Sequence, residues 1–271
     1  MRRFRRGFTL IEVSLFLAIT GLLFIGITVG VQNSIYQQRY NDTVQNFMEF
    51  LRGVYSEVTN VQSSTNGNSN KAFYGKLISF GEKYDLDGNS NKEKIFVYDV
   101  IGDADGSLSS GSISSSLNDV GATLDTGTGR AYSYLPRWSS TIEDKSGKIY
   151  EGGLLIVRHP RSGTVYTVRK NSGLGINEAI KKGTFNNLRA TLWNGFAHGA
   201  VDYCVNPNGD SNGLRRIEVQ IKDEARNSSG IVMRTGSDNE CAVETNSGSN
   251  NGNNNYYYDD DDDDGPEGGR R

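Results

Sequence analysis

An α+β fold, with one long N-terminal helix laid on an antiparallel β-rich head, follows from three observations. Apolar residues recur at helical spacing through the first 62 residues, and no proline interrupts the chain between Phe8 and Gln62. Beyond residue 70, short runs of branched and aromatic residues alternate with Gly, Asn, Asp and Ser clusters, the pattern of strands and turns. Only 35% of the 271 residues are apolar and the mean hydropathy is −0.53, although the first 31 residues are strongly apolar. The remainder is therefore very polar, a composition that suits a loop-heavy exported domain better than a cytosolic helical enzyme. The length accommodates one membrane segment plus a soluble domain of roughly 180–200 residues, large enough for a real core.

The N-terminal run justifies the membrane segment. From Phe8 to Val31 the chain reads FTLIEVSLFLAITGLLFIGITVGV, with Glu12 its single charge. At ~1.5 Å per residue this helix is ~36 Å long, enough to cross a ~30 Å hydrocarbon layer. The leader MRRFRRG, residues 1–7, holds four arginines and marks the N-terminus as cytoplasmic. A secretory signal has an apolar core of about 7–15 residues and a small-residue cleavage site. This run is longer, lacks an A-x-A-like end and carries an acid near its start. A carboxylate there costs roughly 2.5–3.5 kcal/mol on insertion scales and demands a reason.

Helical periodicity continues through residues 32–62. Ile35, Tyr40, Val44, Phe47, Met48, Leu51, Val54, Tyr55, Val58 and Val61 recur at steps of three and four, an apolar face to pack on a domain. Residues 8–62 are thus expected as one helix of ~80 Å, ended by SSTNGNSN. In the head, residues 63–244, strands are expected at 72–80, 93–101 and 130–138. A hairpin is expected at 152–170 around HPRSG, with further strands at 200–207, 215–223 and 230–236. GLGINEAIKKG (173–183) is a short helix candidate with Asn177 as its cap, and residues 102–129 read as a Ser/Gly/Asp/Thr-rich connection. Residues 245–271 are low-complexity and are expected to be a disordered acidic tail.

Charge and cysteines bound the function further. Without the leader, 29 Lys and Arg fall to 25 against 32 Asp and Glu, a net charge of −7. Nucleic-acid binding through a basic surface is therefore not expected. Cys204 and Cys241 form an even pair in an exported domain and are expected to make a disulfide, the alternative being two buried thiols.

Gly7-Phe8-Thr9-Leu10-Ile11-Glu12-Val13, after a basic leader and before a long apolar helix, resembles the N-terminal signature of type IV pilins and type II secretion pseudopilins. The resemblance implies cleavage by prepilin peptidase between Gly7 and Phe8, then N-methylation of Phe8. It implies that Glu12 directs subunit assembly by pairing with an N-terminal amine of its own or an adjoining subunit. Pairing would offset the cost of a buried carboxylate. A residue without Cβ at Gly7 suits an extended backbone in a protease cleft. The family commonly has a proline where this chain has Val29; Gly21, Gly26 and Gly30 offer either local unwinding or, as Gly26-x-x-x-Gly30, a close-packing face.

On this resemblance the function is that of a structural pilin of a surface filament. Its partners would be itself or other pilins, the peptidase, an assembly platform and ATPase motors. It would lie in the inner or cytoplasmic membrane as a single-pass protein before assembly, and in an extracellular pilus afterwards. The alternatives are a secretion pseudopilin and a membrane-tethered, non-polymerising adhesin or enzyme.

The remaining signals are local. Asp85 and Asp87, and Asp103 and Asp105, stand in acidic turns that are Ca²⁺ candidates or plain turns, since neither fits the EF-hand spacing. Tyr256, Tyr257 and Tyr258, ahead of the aspartates 259–264, are a candidate surface contact within a solvated tail. His159 and His198 share no ligand spacing, and no G-x-S-x-G, H-E-x-x-H or P-loop is present, so neither an enzyme nor a bound cofactor is expected.

Overall fold

The computed structural model describes residues 9–60, 70–84, 93–104, 113–125, 131–181, 199–207, 216–223, 225–235 and 239–241. A single helix, α1 (Leu10–Thr59), carries the whole N-terminal pattern. It ends at Asn60, just ahead of the polar run that the sequence marks as its stop, and it is continuous through Gly21, Gly26 and Gly30.

The head contains two antiparallel sheets. Strands β1 (Lys71–Phe80), β2 (Ile95–Asp103), β3 (Thr123–Leu124), β4 (Tyr132–Tyr134), β6 (Gly152–Arg158) and β7 (Val165–Lys170) form the larger, in the order β3-β2-β1-β6-β7 with β4 also on β2. Strands β5 (Thr141–Glu143), β8 (Val201–Asn206), β9 (Ile217–Ile221) and β10 (Ile231–Arg234) form the smaller, in the order β10-β9-β8-β5. The expected 152–170 hairpin is present, with Arg158 opposite Val165 across the HPRSG turn. Residues 130–138 were expected as a full strand, but pairing stops at Tyr134 because Pro136 has no N–H to continue the ladder.

The larger sheet is buried on both faces. Ile78, Val97, Leu154 and Ile156 face a core shared with α1 and the smaller sheet, while Leu77, Phe96, Tyr98, Leu155 and Val157 face a second core. That second core is roofed by α2 (Ile113–Asp119) through Leu117 and by α3 (Ile176–Lys181) through Ile176. The 102–129 connection therefore supplies a helix and a strand in addition to turns. Between Phe73 and Gly75 the register shifts by one residue. A Cβ on Gly75 would lie 2.2 Å from the Ile156 carbonyl oxygen, so only glycine lets β1 and β6 approach there.

The distal half of α1 is the centre of the main core. Val44, Phe47, Leu51, Val54, Tyr55 and Val58 are essentially unexposed, each contributing about 1.5–3 kcal/mol relative to exposure. Phe47 meets Tyr203 of β8 edge-on at 5.7 Å, and Tyr203 stacks on Phe80 of β1 at 4.9 Å, joining helix and both sheets. Lys76 of β1 adds an ionic tie, 2.8 Å from Glu57 of α1 and 2.7 Å from Asp99 of β2. Burial pulls its ammonium down, but the hydrogen bonds it donates to Asp99 and Glu57 outweigh that and hold it above its ordinary value.

Candidate functional site

Gly7 and Phe8 lie outside the described residues, which begin at Thr9. Thr9 is the N-cap of α1 and Glu12 stands at the third helical position. The Glu12 N–H donates to Thr9 Oγ1 at 3.3 Å. In return Glu12 Oε2 accepts from the Thr9 N–H at 3.0 Å and from its hydroxyl at 3.2 Å. This is a reciprocal capping box, which satisfies two donors that a helix start otherwise leaves orphaned. The family resemblance gives Glu12 an ionic partner alone, whereas here it also has a partner in its own chain. Thr9-Leu10-Ile11-Glu12 is the S/T-x-x-E pattern that would have revealed it. A carboxylate in the first turn also opposes the positive end of the helix dipole.

The hydroxyls along the apolar half and the turn after it are satisfied within the helix. The hydroxyls of Ser14, Thr20, Thr28 and Ser34 each donate to the carbonyl four residues back, at 2.7–3.2 Å. The helix presents no unsatisfied hydroxyl from these side chains, as a lipid environment requires. Leu10, Phe16, Leu22, Leu23 and Phe24 are exposed, and the helix is long and apolar enough to cross a membrane. A Cβ on Gly21, Gly26 or Gly30 would meet nothing within 4 Å, so no close-packing partner for these glycines lies within the chain among the described residues.

A second constellation surrounds the cysteines. Cys204 and Cys241 are disulfide-bonded, with Cα atoms 5.5 Å apart. On β8, Val201, Tyr203 and Val205 face the main core, while Asp202 and Cys204 occupy the opposite face. Cys204 stands between Glu218 of β9 and Glu143 of β5. The segment 239–241 closes over this face: the Glu240 N–H donates to Glu218 Oε2 at 2.7 Å, and Asn239 donates through its amide to the Arg216 carbonyl.

Charges tie the same segment down. Lys145 bridges Asp202, at 2.7 Å, and Glu240. Those two acids hold the Lys145 ammonium above its ordinary value. Burial raises Asp202, but Lys145 and Gln220 outweigh it and leave the carboxyl low. Glu218 is fully buried. Desolvation pushes its carboxyl up, with help from Asp202, against the Glu240 N–H and Arg234. The arrangement is a latch for the segment that leads into the C-terminal tail.

The weaker candidates separate. Asp85, Asp87 and Asp105 lie outside the described residues, as does His198. Asp103 does not sit in a turn as expected: it closes β2 opposite Lys71, its carbonyl accepting the Tyr74 hydroxyl at 2.9 Å. Among the described residues no group of three His, Cys, Asp or Glu is placed to hold a metal. His159 is buried with Ser116 of α2 3.2 Å from Nε2. Its Nδ1 accepts from the N–H groups of Arg161 and Ser162, which places the proton on Nε2 as a donor to the serine. Such a pair is a clip between α2 and the β6–β7 turn, wired opposite to a serine-activating base.

Asn177 does not cap α3 but lies within it. The cap comes from Glu82, buried just beyond β1, whose carboxylate accepts from the N–H groups of Ile176 at 3.0 Å and Asn177 at 3.3 Å. Asn177 instead accepts the Tyr98 hydroxyl and donates to the Tyr84 carbonyl at 2.7 Å.

No family model matches this chain, and no curated protein or solved structure is measurably similar to it.

Proposed function

We propose that the chain is a pilin-type structural subunit, anchored by residues 8–31, cut after Gly7, N-methylated at Phe8 and polymerised through α1. The supporting observation is the division of one continuous helix. From Leu10 to Val31 it is apolar, with the described side chains exposed and a lone carboxylate in the first turn, and from Tyr40 onward it is the core of an α+β head. An apolar rod continuous with the centre of a polar head can exchange lipid for other copies of itself without altering the head. The new ammonium at Phe8 would lie next to the N-cap, within reach of Glu12, and would add a charged donor to those Thr9 already supplies. Mass spectrometry of the purified protein is the direct test. A chain beginning at N-methyl-Phe8 is expected, and an intact Met1 or a cut beyond residue 30 overturns the reading.

The capping box favours a second reading, a membrane-tethered head that does not polymerise, because Glu12 is already satisfied within its own chain. Glu12→Gln separates the two, since glutamine also completes a capping box but carries no charge. Under the pilin reading Glu12→Gln and Glu12→Ala are both processed yet absent from filaments. Under the tethered reading Glu12→Gln behaves as the parent and only Glu12→Ala loses its helix start.

A further inference from the structure

We propose that residues 135–139 form a foot that rests in the headgroup layer of the bilayer crossed by α1, with Leu135 and Trp138 as its apolar contacts and Arg39 and Arg137 facing anionic phospholipid. This rests on the reading of α1 as membrane-spanning.

Residues 13–38 contain no charged side chain, a length of ~39 Å, so Arg39 is the first charge on the far side of the hydrocarbon. Tyr40, the next residue, is the first of α1 to be buried in the head. The head thus begins eight residues, ~12 Å of helix, beyond Val31, which brings its underside within side-chain reach of the headgroups. Two contacts identify what lies at that level. The Arg39 guanidinium sits over the Trp138 ring, 4.5 Å from its centroid. One turn further along, Thr43 donates to the Arg137 carbonyl at 3.3 Å.

The turn Arg137–Ser139 displays its apolar groups outward. Leu135 is 52% exposed and Trp138 54%, although Pro136 between them is buried. Trp138 and Ser139 have φ of +59° and +56°, a left-handed conformation that few non-glycine residues adopt and that bulky ones normally avoid. Backbone held in that region persists only where its surroundings over-determine it, here by Thr43 and by the Ser140 N–H donating to the Arg137 carbonyl at 3.2 Å. An indole, a leucine and two arginines beyond an apolar helix, with Tyr36 exposed one turn earlier, match the chemistry of the membrane interface: aromatic rings at headgroup depth and basic groups against anionic lipid.

The test uses the full chain bearing Trp193→Phe, so that Trp138 is its one indole, reconstituted in phosphatidylethanolamine–phosphatidylglycerol vesicles. Nitroxide is placed either on the headgroup or deep in the acyl chain. Severalfold stronger quenching of Trp138 by the headgroup label is expected, together with a loss of about half that effect in Arg39→Glu/Arg137→Glu. If Trp193→Phe fails to fold, the parent minus its Trp138→Phe variant gives the same difference signal. Protein that floats with the vesicles while Trp138 is quenched only by aqueous iodide overturns the foot and leaves the membrane reading standing. Shielding that grows with protein density at fixed lipid assigns the surface to a second copy and also overturns it. Protein that fails to float after alkaline extraction overturns both.

Discussion

Removing the disulfide with Cys204→Ala/Cys241→Ala should lower the stability of the head by about 4 kcal/mol. The bond closes a loop of sequence separation 37, and the chain-entropy relation for a loop of that size gives about 3.8 kcal/mol at 25 °C. Loss of the latch also releases the Glu240 N–H from the buried Glu218 carboxylate, and a hydrogen bond to a charged group contributes about 1.5–3 kcal/mol. Part of that second amount returns when water reaches Glu218, so the sum should not exceed about 6 kcal/mol. Urea unfolding of the full chain in detergent micelles, followed by near-ultraviolet circular dichroism, measures it. With a slope near 2 kcal/mol per molar, the midpoint should fall by about 2 M. Both cysteines are buried, so reductant added to the folded parent should act slowly, and the double substitution is the cleaner comparison. A loss under about 1 kcal/mol would show that the Lys145, Asn239 and Glu218 contacts hold residues 239–241 unaided, and would refute the covalent bond as the latch.

Three further outcomes follow from packing and charge. Gly75→Ala should cost roughly 3 kcal/mol, because the new methyl would meet the Ile156 carbonyl and the Val157 Cα at 2.7 Å; an unchanged thermal midpoint would contradict the close approach at the bulge. Tyr203→Phe should raise stability by about 1 kcal/mol, since the buried Tyr203 hydroxyl has no hydrogen-bond partner among the described residues, and a destabilised variant would point to one. Glu218 has a folded pKa raised above its ordinary 4.5, so its ionised form is penalised in the fold at neutral pH and the penalty is absent below about pH 4.5. Glu218→Gln should therefore be more stable than the parent at pH 7, with the difference shrinking as the pH falls through that range; a pH-independent difference in denaturant midpoints would show that Glu218 does not carry the linkage.

Much of this fold was legible because its strongest signals are periodic. The helical stripe from Tyr40 to Val58 and the aromatic, branched strands survive as α1 and eight of the ten described strands. What was hidden depends on tertiary contact. Residues 113–119 read ISSSLND, a weak helix former that holds its shape by covering the second face of the larger sheet with Leu117. The apolar pair Leu77-Ile78 in β1 and the run Leu154-Leu155-Ile156-Val157 in β6 carry the sign of that second core, since a one-faced strand would alternate. Asn177 looked like a cap because its type suits one, yet the carboxylate that caps α3 is Glu82, distant in the chain, and no local pattern announces such a donor–acceptor pair. At the candidate site the lone acid Glu12 and the cysteine pair stood out from residue type alone. The capping partner Thr9 is equally legible as the first residue of the T-L-I-E pattern.

The seamless passage of α1 from exposed rod to protein core decides where this molecule can be severed. A protease cutting within residues 32–39 would release a head that keeps Tyr40, Val44, Phe47 and every later core residue of the helix. A cut only a turn or two further on would strip out Tyr40, which ties the helix to Val205 and Ile217, and would open the seam between helix and smaller sheet to water. Any soluble form of the head must therefore carry a stub of the rod on which it stood.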